Sequence, residues 1–239
     1  MDFENMLGNE FLDIPFYIMF YTIIFLFGIC IGSFMNVVIL RLPKNESLIK
    51  KASHCMTCGE KIRIIDLIPV FSWIFLRGKC HKCGEKISAR YPIVESLTGF
   101  SYMLVFYVMN INAEAIITCV LFTLLIAVGF IDWDTKEMDV RILGLIFILA
   151  IPSCIFYDRV IDRIIGAVCI SLPFFIIGEI SRAIIKKRSG EDYRGIELGD
   201  TILMFGAGAL IGTQAIIVSA FAGILIAAVC GLINKFISG

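Results

Sequence analysis

Apolar and polar positions along this chain are gathered into long blocks instead of short periodic steps. Seven blocks are almost wholly apolar, near 14–40, 91–109, 115–131, 142–157, 164–185, 201–213 and 215–234. Runs of about 17–25 apolar residues cross a bilayer as helices, because backbone groups in hydrocarbon must be satisfied within the segment itself. The block at 142–157 is barely long enough, and the one at 201–213 is short and rich in glycine and alanine. The pattern predicts an all-α integral membrane protein, a bundle of about seven spanning helices within a range of six to eight. A polar insertion at 41–90 separates the first span, 14–40, from the remaining helices over 91–236.

Composition agrees with this reading. Hydrophobic residues make up 59% of 239 positions and charged residues 18%, with a mean hydropathy of +0.90, values that lipid-facing helices require and a soluble domain rarely has. Twenty-one basic residues balance 21 acidic ones, so no excess of positive charge points to nucleic acid as a partner; the lipid bilayer is the expected one. The first apolar run is too long for a signal peptide, and Met1–Leu40 has no Lys or Arg to lead one.

Basic residues also orient the bundle. The N-terminal tail carries Asp2, Glu4, Glu10 and Asp13 and no positive charge, whereas 41–90 carries eleven of the 21 Lys and Arg residues. The positive-inside rule then puts 41–90 in the cytoplasm and the N-terminus outside. Threading onward places 132–141 and 186–200 inside and 110–114 and 158–163 outside. Lys186, Lys187, Arg188 and Arg194 on the inside, against only Arg159 and Arg163 outside, fit that order. The expected location is the inner (plasma) membrane, crossed several times.

The insertion holds Cys55-x-x-Cys58 and Cys80-x-x-Cys83, each pair followed by glycine, with 21 residues between the pairs. Four thiolates at this spacing suit a closed, tetrahedral, structural zinc. A reducing cytoplasm argues against disulfides, and free or redox-active thiols are the alternative. A loop of about 50 residues buries too little to hold its own shape, and a metal supplies that missing folding energy. His54 and His81 flank the cysteines as solvated neighbours or substitute ligands. Cys30, Cys119, Cys154, Cys169 and Cys230 are scattered through spans as small apolar residues.

Two carboxylates stand where apolar blocks meet the inside loops. Asp132 follows the block ending at Ile131, and Asp200 precedes Thr201-Ile202-Leu203-Met204. Asp200 is expected at a helix N-terminus, where an N-cap alone would explain it. A solvated juxtamembrane charge would explain Asp132. Held close together, two such acids would share a proton and activate water against a peptide carbonyl. No Ser-His or Cys-His pairing, H-E-x-x-H or P-loop competes with them.

Several further blocks resemble the bacterial type IV prepilin peptidases, membrane aspartic peptidases that are also N-methyltransferases. Gly32-Ser33-Phe34-Met35-Asn36-Val37-Val38 with Arg41-Leu42-Pro43 is similar to the family's first-span motif. Ile68-Pro69-Val70-Phe71-Ser72-Trp73, Leu76-Arg77-Gly78-Lys79-Cys80 and Arg90-Tyr91-Pro92-Ile93-Val94-Glu95 follow in the family's order. The likeness runs from about residue 25 to 235. It implies that Ile131-Asp132 opens the first catalytic motif and that Asp200 ends the second, Gly-x-Gly-Asp. The chain departs from the family at Met138-Asp139-Val140, where Ile-Pro-Asp is usual, at Glu197 in place of glycine, and at Ile202 in place of lysine.

The resemblance implies a substrate: a prepilin-like protein with a short basic leader, a glycine and an apolar helix, cut after the glycine at the cytoplasmic boundary. It implies methylation of the new N-terminus with S-adenosylmethionine, assigned to the 41–90 half, with peptidase activity in 91–236. No glycine-rich nucleotide fingerprint marks the cofactor site. Glu60, Glu85, Glu95 and Glu197 are candidates for steering a basic leader. Asn36 and Glu95 lie near membrane depth, where either function or interhelical hydrogen bonding explains them. Glu179 is expected to pair with Arg182, and Gly206-Ala207-Gly208-Ala209 to allow close helix packing. The competing readings are a membrane scaffold with a zinc knuckle and a transporter; the second lacks a mid-span aspartate and an inverted repeat.

Overall fold

The computed structural model describes the backbone of residues 10–49, 52–156, 160–190 and 192–238. Asp2, Glu4, Lys50, Lys51 and Arg159 lie outside the described residues, as do the side chains of Glu10, Asp13 and Cys154. The helices are α1 (Glu10–Arg41), α2 (Phe71–Phe75), α3 (Arg90–Met109), α4 (Ala113–Thr135), α5 (Val140–Phe156), α6 (Val160–Ser189), α7 (Leu198–Ile211) and α8 (Thr213–Ser238), with a 3-10 turn at Ile64–Leu67. Each expected span has its helix. Five of them, within α1, α3, α4, α6 and α8, are long and apolar enough to cross a membrane, while α5 and α7 are shorter apolar helices. The protein is an all-α, multi-pass membrane protein. It divides into two compact units, Met1–Lys136 and Glu137–Gly239.

In the first unit α1 crosses α3 almost backbone to backbone. A Cβ added at Gly28 would lie 2.7 Å from Gly99 Cα, and one at Gly32 would lie 2.7 Å from Glu95 Cα. Gly28 and Gly32 are four apart, so both face the same partner, the small-residue spacing that lets helices approach in lipid. Asn112 starts α4 by accepting the Ala115 amide at 2.7 Å, and the short turn before it makes α3 and α4 antiparallel neighbours. Buried between them, the hydroxyls of Tyr102 and Thr123 pair at 2.9 Å.

In the second unit the expected role of the Gly206–Ala209 run is borne out. Gly208 lies directly against the Gly166 backbone of α6, and a Cβ on Gly206 would lie 2.8 Å from Ile146 of α5. Arg163, read from sequence as a loop charge, is a buried residue of α6. Its guanidinium donates to the carbonyls of Leu210 and Ala209, satisfying groups at the end of α7 that have no intrahelical donor.

Candidate active-site residues and metal centre

The two cysteine pairs fold as matching knuckles. The Gly59 amide donates to Cys55 O at 2.9 Å and the Gly84 amide to Cys80 O at 3.0 Å; Cys55 N donates to Glu60 O and Cys80 N to Glu85 O. Both glycines have positive φ, 69° and 72°, which fits the residue following each pair. All four sulfurs lie within 4.8 Å of one another, and Cys55 Sγ is 3.8 Å from Cys83 Sγ. Bonds of about 2.3 Å to a tetrahedral ion put sulfurs about 3.8 Å apart, so the donor set fits one metal. The Cys58 and Thr57 amides hold the Cys55 thiol down to about 6. Against the lowering effect of the Glu85 amide, desolvation and hydrogen bonds to Cys58, Cys80 and Cys55 push Cys83 up to about 12. Crowded thiols share protons that a metal would displace. Neither histidine belongs to the cluster; His54 Nδ1 faces Ala52 O at 3.2 Å instead.

A bracket joins this loop to the spans. The Phe71 amide donates to Pro69 O at 2.6 Å, closing a γ-turn with Val70 at φ 63°, ψ −55°. That conformation is rare and strained, most of all for a β-branched residue. The Val70 amide donates to Glu95 Oε2 at 2.7 Å, and the side chains of Ser33 and Asn36 reach the same buried carboxylate. Asn36 Nδ2 also donates to Tyr91 O at 3.1 Å. Asn36 thus bonds between α1 and α3, and Glu95 ties α3 both to α1 and to the loop. Trp73 Nε1 donates to Ile87 O at 3.1 Å, and its ring leaves no room for a Cβ at Gly78. The sequence showed these residues as motif blocks but gave no sign of the γ-turn.

Asp132 lies inside α4, in its last turn, not beyond the helix end. It is half-buried, and its carbonyl accepts the amide of Lys136, the left-handed C-cap at φ 58°. Asp134, two residues further on, forms an ion pair with Arg90 at the start of α3, and Arg90 also stacks over Phe130, 5.4 Å from its ring centroid. The end of α4 is therefore fastened to the loop end of α3.

Asp200 is not the N-cap. Helix α7 begins at Leu198 with Glu197 as its N-cap, and Asp200 is the third residue of the first turn. Its Oδ2 accepts the Glu197 amide at 3.1 Å, while the Glu197 carboxylate accepts the Asp200 amide, a reciprocal capping box. The side chain at 197 supplies one half of this box and Asp200 the other. The preceding loop is braced to α6 by Gly195 N donating to Ser181 Oγ at 3.0 Å and by ion pairs Arg182–Asp192 and Arg194–Glu179. Glu179 lies 4.0 Å from Arg182, as expected, but its shorter contact is to Arg194. Asp139 accepts from the Arg141 side chain and amide, and the Arg141 side chain holds its carboxyl below the ordinary range.

Of the acids considered for steering a leader, Glu60 pairs with Lys82 of the opposite knuckle, Glu95 holds Val70, and Glu197 caps α7. Asp132 belongs to the first unit and Asp200 to the second.

Residues 26–109 match the bacterial peptidase A24 N-terminal domain, and residues 119–232 match the type IV leader peptidase family, which includes both aspartates. Among curated relatives, a prepilin leader peptidase/N-methyltransferase of Myxococcus xanthus is 30% identical over 83% of this chain, which covers 58% of that protein. A type 4 prepilin-like proteins leader peptide-processing enzyme of Escherichia coli is 31% identical over 88% of this chain and 82% of its own length. A prepilin leader peptidase/N-methyltransferase of Klebsiella pneumoniae is 31% identical over 82% of this chain and 86% of its own length. No solved structure matches. With matches across both units, this chain belongs to the type IV leader peptidase family and is an enzyme of prepilin processing.

Proposed function

We propose that Asp132 and Asp200 are the catalytic pair of a membrane aspartic endopeptidase that cuts prepilin-like leaders after glycine. The observation that carries this is that each acid is half-buried at the polar end of an apolar helix, inside the segment matched by the peptidase family. Asp200 sits in the first turn of α7, where the macrodipole favours an anion, and Asp132 in the last turn of α4, where it does not. That asymmetry suits a pair in which one carboxylate takes a proton from water and the other gives one to the departing amine. Water adds to the glycine carbonyl, the C–N bond breaks, and the released amine takes up the proton.

The remaining parts of the reading rest on this chain's own residues and, for methylation, on the names of its relatives. The cysteine cluster holds one structural zinc, the tetrahedral ion that four thiolates favour. The loop, Asp132 and Asp200 face the cytoplasm and the N-terminus faces outward, by the distribution of Lys and Arg. Residues 41–90 belong to the half that methylates the new N-terminus with S-adenosylmethionine, and 91–236 contain the peptidase. The cleft before α3 is lined by Arg77, Lys79 and Lys86, a cationic wall that opposes a sulfonium, so no residue is assigned to that cofactor.

The test is cleavage of a prepilin-like substrate by solubilised protein. Asp132→Asn, Asp200→Asn and the double variant should each lose about 10²–10⁴-fold in rate, with no further loss on combination. Asp134→Asn and Asp139→Asn should keep most activity, since asparagine still accepts a hydrogen bond from Arg90 or Arg141. Near-normal cleavage by Asp132→Asn or Asp200→Asn sinks the assignment.

A further inference from the structure

Between the two knuckles the loop is apolar where a solvated loop would be polar. Ile64, Ile65 and Ile68, in and beside the 3-10 turn, and Phe71, Ile74 and Phe75 of α2 are all exposed, Ile64 at 88% and Phe75 at 82%. In the 3-10 turn Ile64 and Leu67 are three apart, the spacing that stacks side chains there, and in α2 Phe71, Ile74 and Phe75 follow the i, i+3, i+4 rule of an α-helix. So many large apolar side chains exposed within residues 64–75 mark an interaction surface.

Its attachment says what covers it. The Val70 turn lies midway along the strip and is bonded to Glu95, five residues past the start of α3. At 1.5 Å per residue this is about 7–8 Å along a helix that spans the membrane. The strip is therefore held level with the first turns of a span, at the edge of the hydrocarbon. Beside it, Arg77, Lys79 and Lys86 line a cleft of about 470 Å³ that ends at Ala89, the residue before α3. Apolar side chains flanked by cations at this height match the chemistry of an anionic lipid surface.

We propose that residues 64–79 form a monotopic anchor, with Ile64–Phe75 seated at the headgroup–acyl boundary and the Arg77/Lys79/Lys86 cleft taking the phosphate of an anionic phospholipid. The cysteine knuckles then ride on the bilayer surface instead of swinging in solvent. This holds whichever leaflet the loop faces and does not depend on which acids are catalytic.

The experiment uses the full chain in nanodiscs of phosphatidylglycerol or phosphatidylcholine, with photoreactive p-benzoylphenylalanine in place of Phe75 or, for comparison, of Glu85 on a knuckle. On irradiation, position 75 should form lipid adducts several-fold more than position 85, and more in phosphatidylglycerol. Arg77→Gln with Lys79→Gln should abolish the preference for the anionic lipid while metal content stays at the parent level. Lys86→Gln, read in the same way, serves if that double variant loses its metal. Equal lipid adducts at 75 and 85, or adducts at 75 to a second copy or to another segment of the chain, overturn the anchor. Equal yield in both lipids overturns the phosphate cleft.

Discussion

The two units solve one problem, packing helices where lipid offers no hydrophobic drive, with different materials. Both cross helices through glycine, at Gly28, Gly32 and Gly99 in the first and at Gly166 and Gly208 in the second. The first adds enclosed polar contacts, Tyr102 to Thr123 and Glu95 to Val70, and a four-cysteine cluster whose sulfurs are grouped as one metal would need them. The second relies on backbone proximity and on Arg163 closing the end of α7, and leaves its polar loop to surface ion pairs. Order in the first unit's loop is thus built from buried or cross-linked groups, and in the second from exposed ones. The consequence is unequal sensitivity: single changes in the first loop should be felt widely, and those in the second only locally.

The largest expected effect is on the metal cluster. Cys58→Ser or a strong chelator should take metal from about one per chain to near zero and make 52–89 sensitive to limited proteolysis, because structural metal binding is folding free energy for so small a loop. Metal analysis and cleavage mapping check this. Protection of 192–238 should be unchanged. Full metal retention in Cys58→Ser breaks the account of the first loop.

Next come the glycine crossings. Gly208→Leu and Gly28→Leu each drive a side chain into facing backbone and should cost about 1–3 kcal/mol, read as a lower Tm in detergent. Gly129→Leu, with open space at its Cβ, is the control. If Gly129→Leu costs as much as the other two, close approach is not what holds the crossings.

How much of this was legible beforehand differs by residue. Long apolar runs fixed seven helices, because in lipid a run of that length has little alternative to helix. The C-x-x-C spacing with its glycines revealed the knuckles, since the metal constraint is local. Asp132 and Asp200 could be singled out as acids at block ends, but their exact helix positions could not: hydropathy changes at Ile131 and Thr201, whereas hydrogen bonding carries α4 to Thr135 and starts α7 at Leu198. The Glu95–Val70 bond and the Arg90–Asp134 pair join residues 25 and 44 apart, and nothing in one chain's composition announces such pairings. Gly28 and Gly32 carried a readable small-residue spacing that the apolar reading of the first span passed over.

A middling effect is expected at Glu95. Glu95→Ala leaves the Val70 amide without its partner and should cost about 1–3 kcal/mol, with hydrogen exchange at Val70 and Phe71 accelerated and metal retained. Glu95→Gln keeps an acceptor and should lose less. Indistinguishable exchange in Glu95→Ala would show that the γ-turn holds without the carboxylate, and the contrast between enclosed and exposed bracing would weaken.

The smallest effect belongs to Asp192, in the loop before α7. The Arg182 guanidinium beside it holds its carboxyl down to about 2, below the usual carboxylate value of about 3.9. A group depressed in the folded state contributes fully above its unfolded pKa and loses that contribution as pH falls through the folded one. The brace should therefore be intact from neutral pH to about 4 and fade only towards about 2, a range that proteolysis of 190–197 by an acid-tolerant protease can follow. At neutral pH Asp192→Asn should reproduce the acid state, with loop cleavage modestly faster and global Tm unchanged, because exposed ion pairs are screened and contribute little. The Arg194–Glu179 pair and the Gly195–Ser181 bond remain to hold the start of α7, so cleavage of prepilin-like substrate should also persist. A large fall in Tm for Asp192→Asn would mean that the second unit depends on its loop as the first does, and the difference between them would collapse.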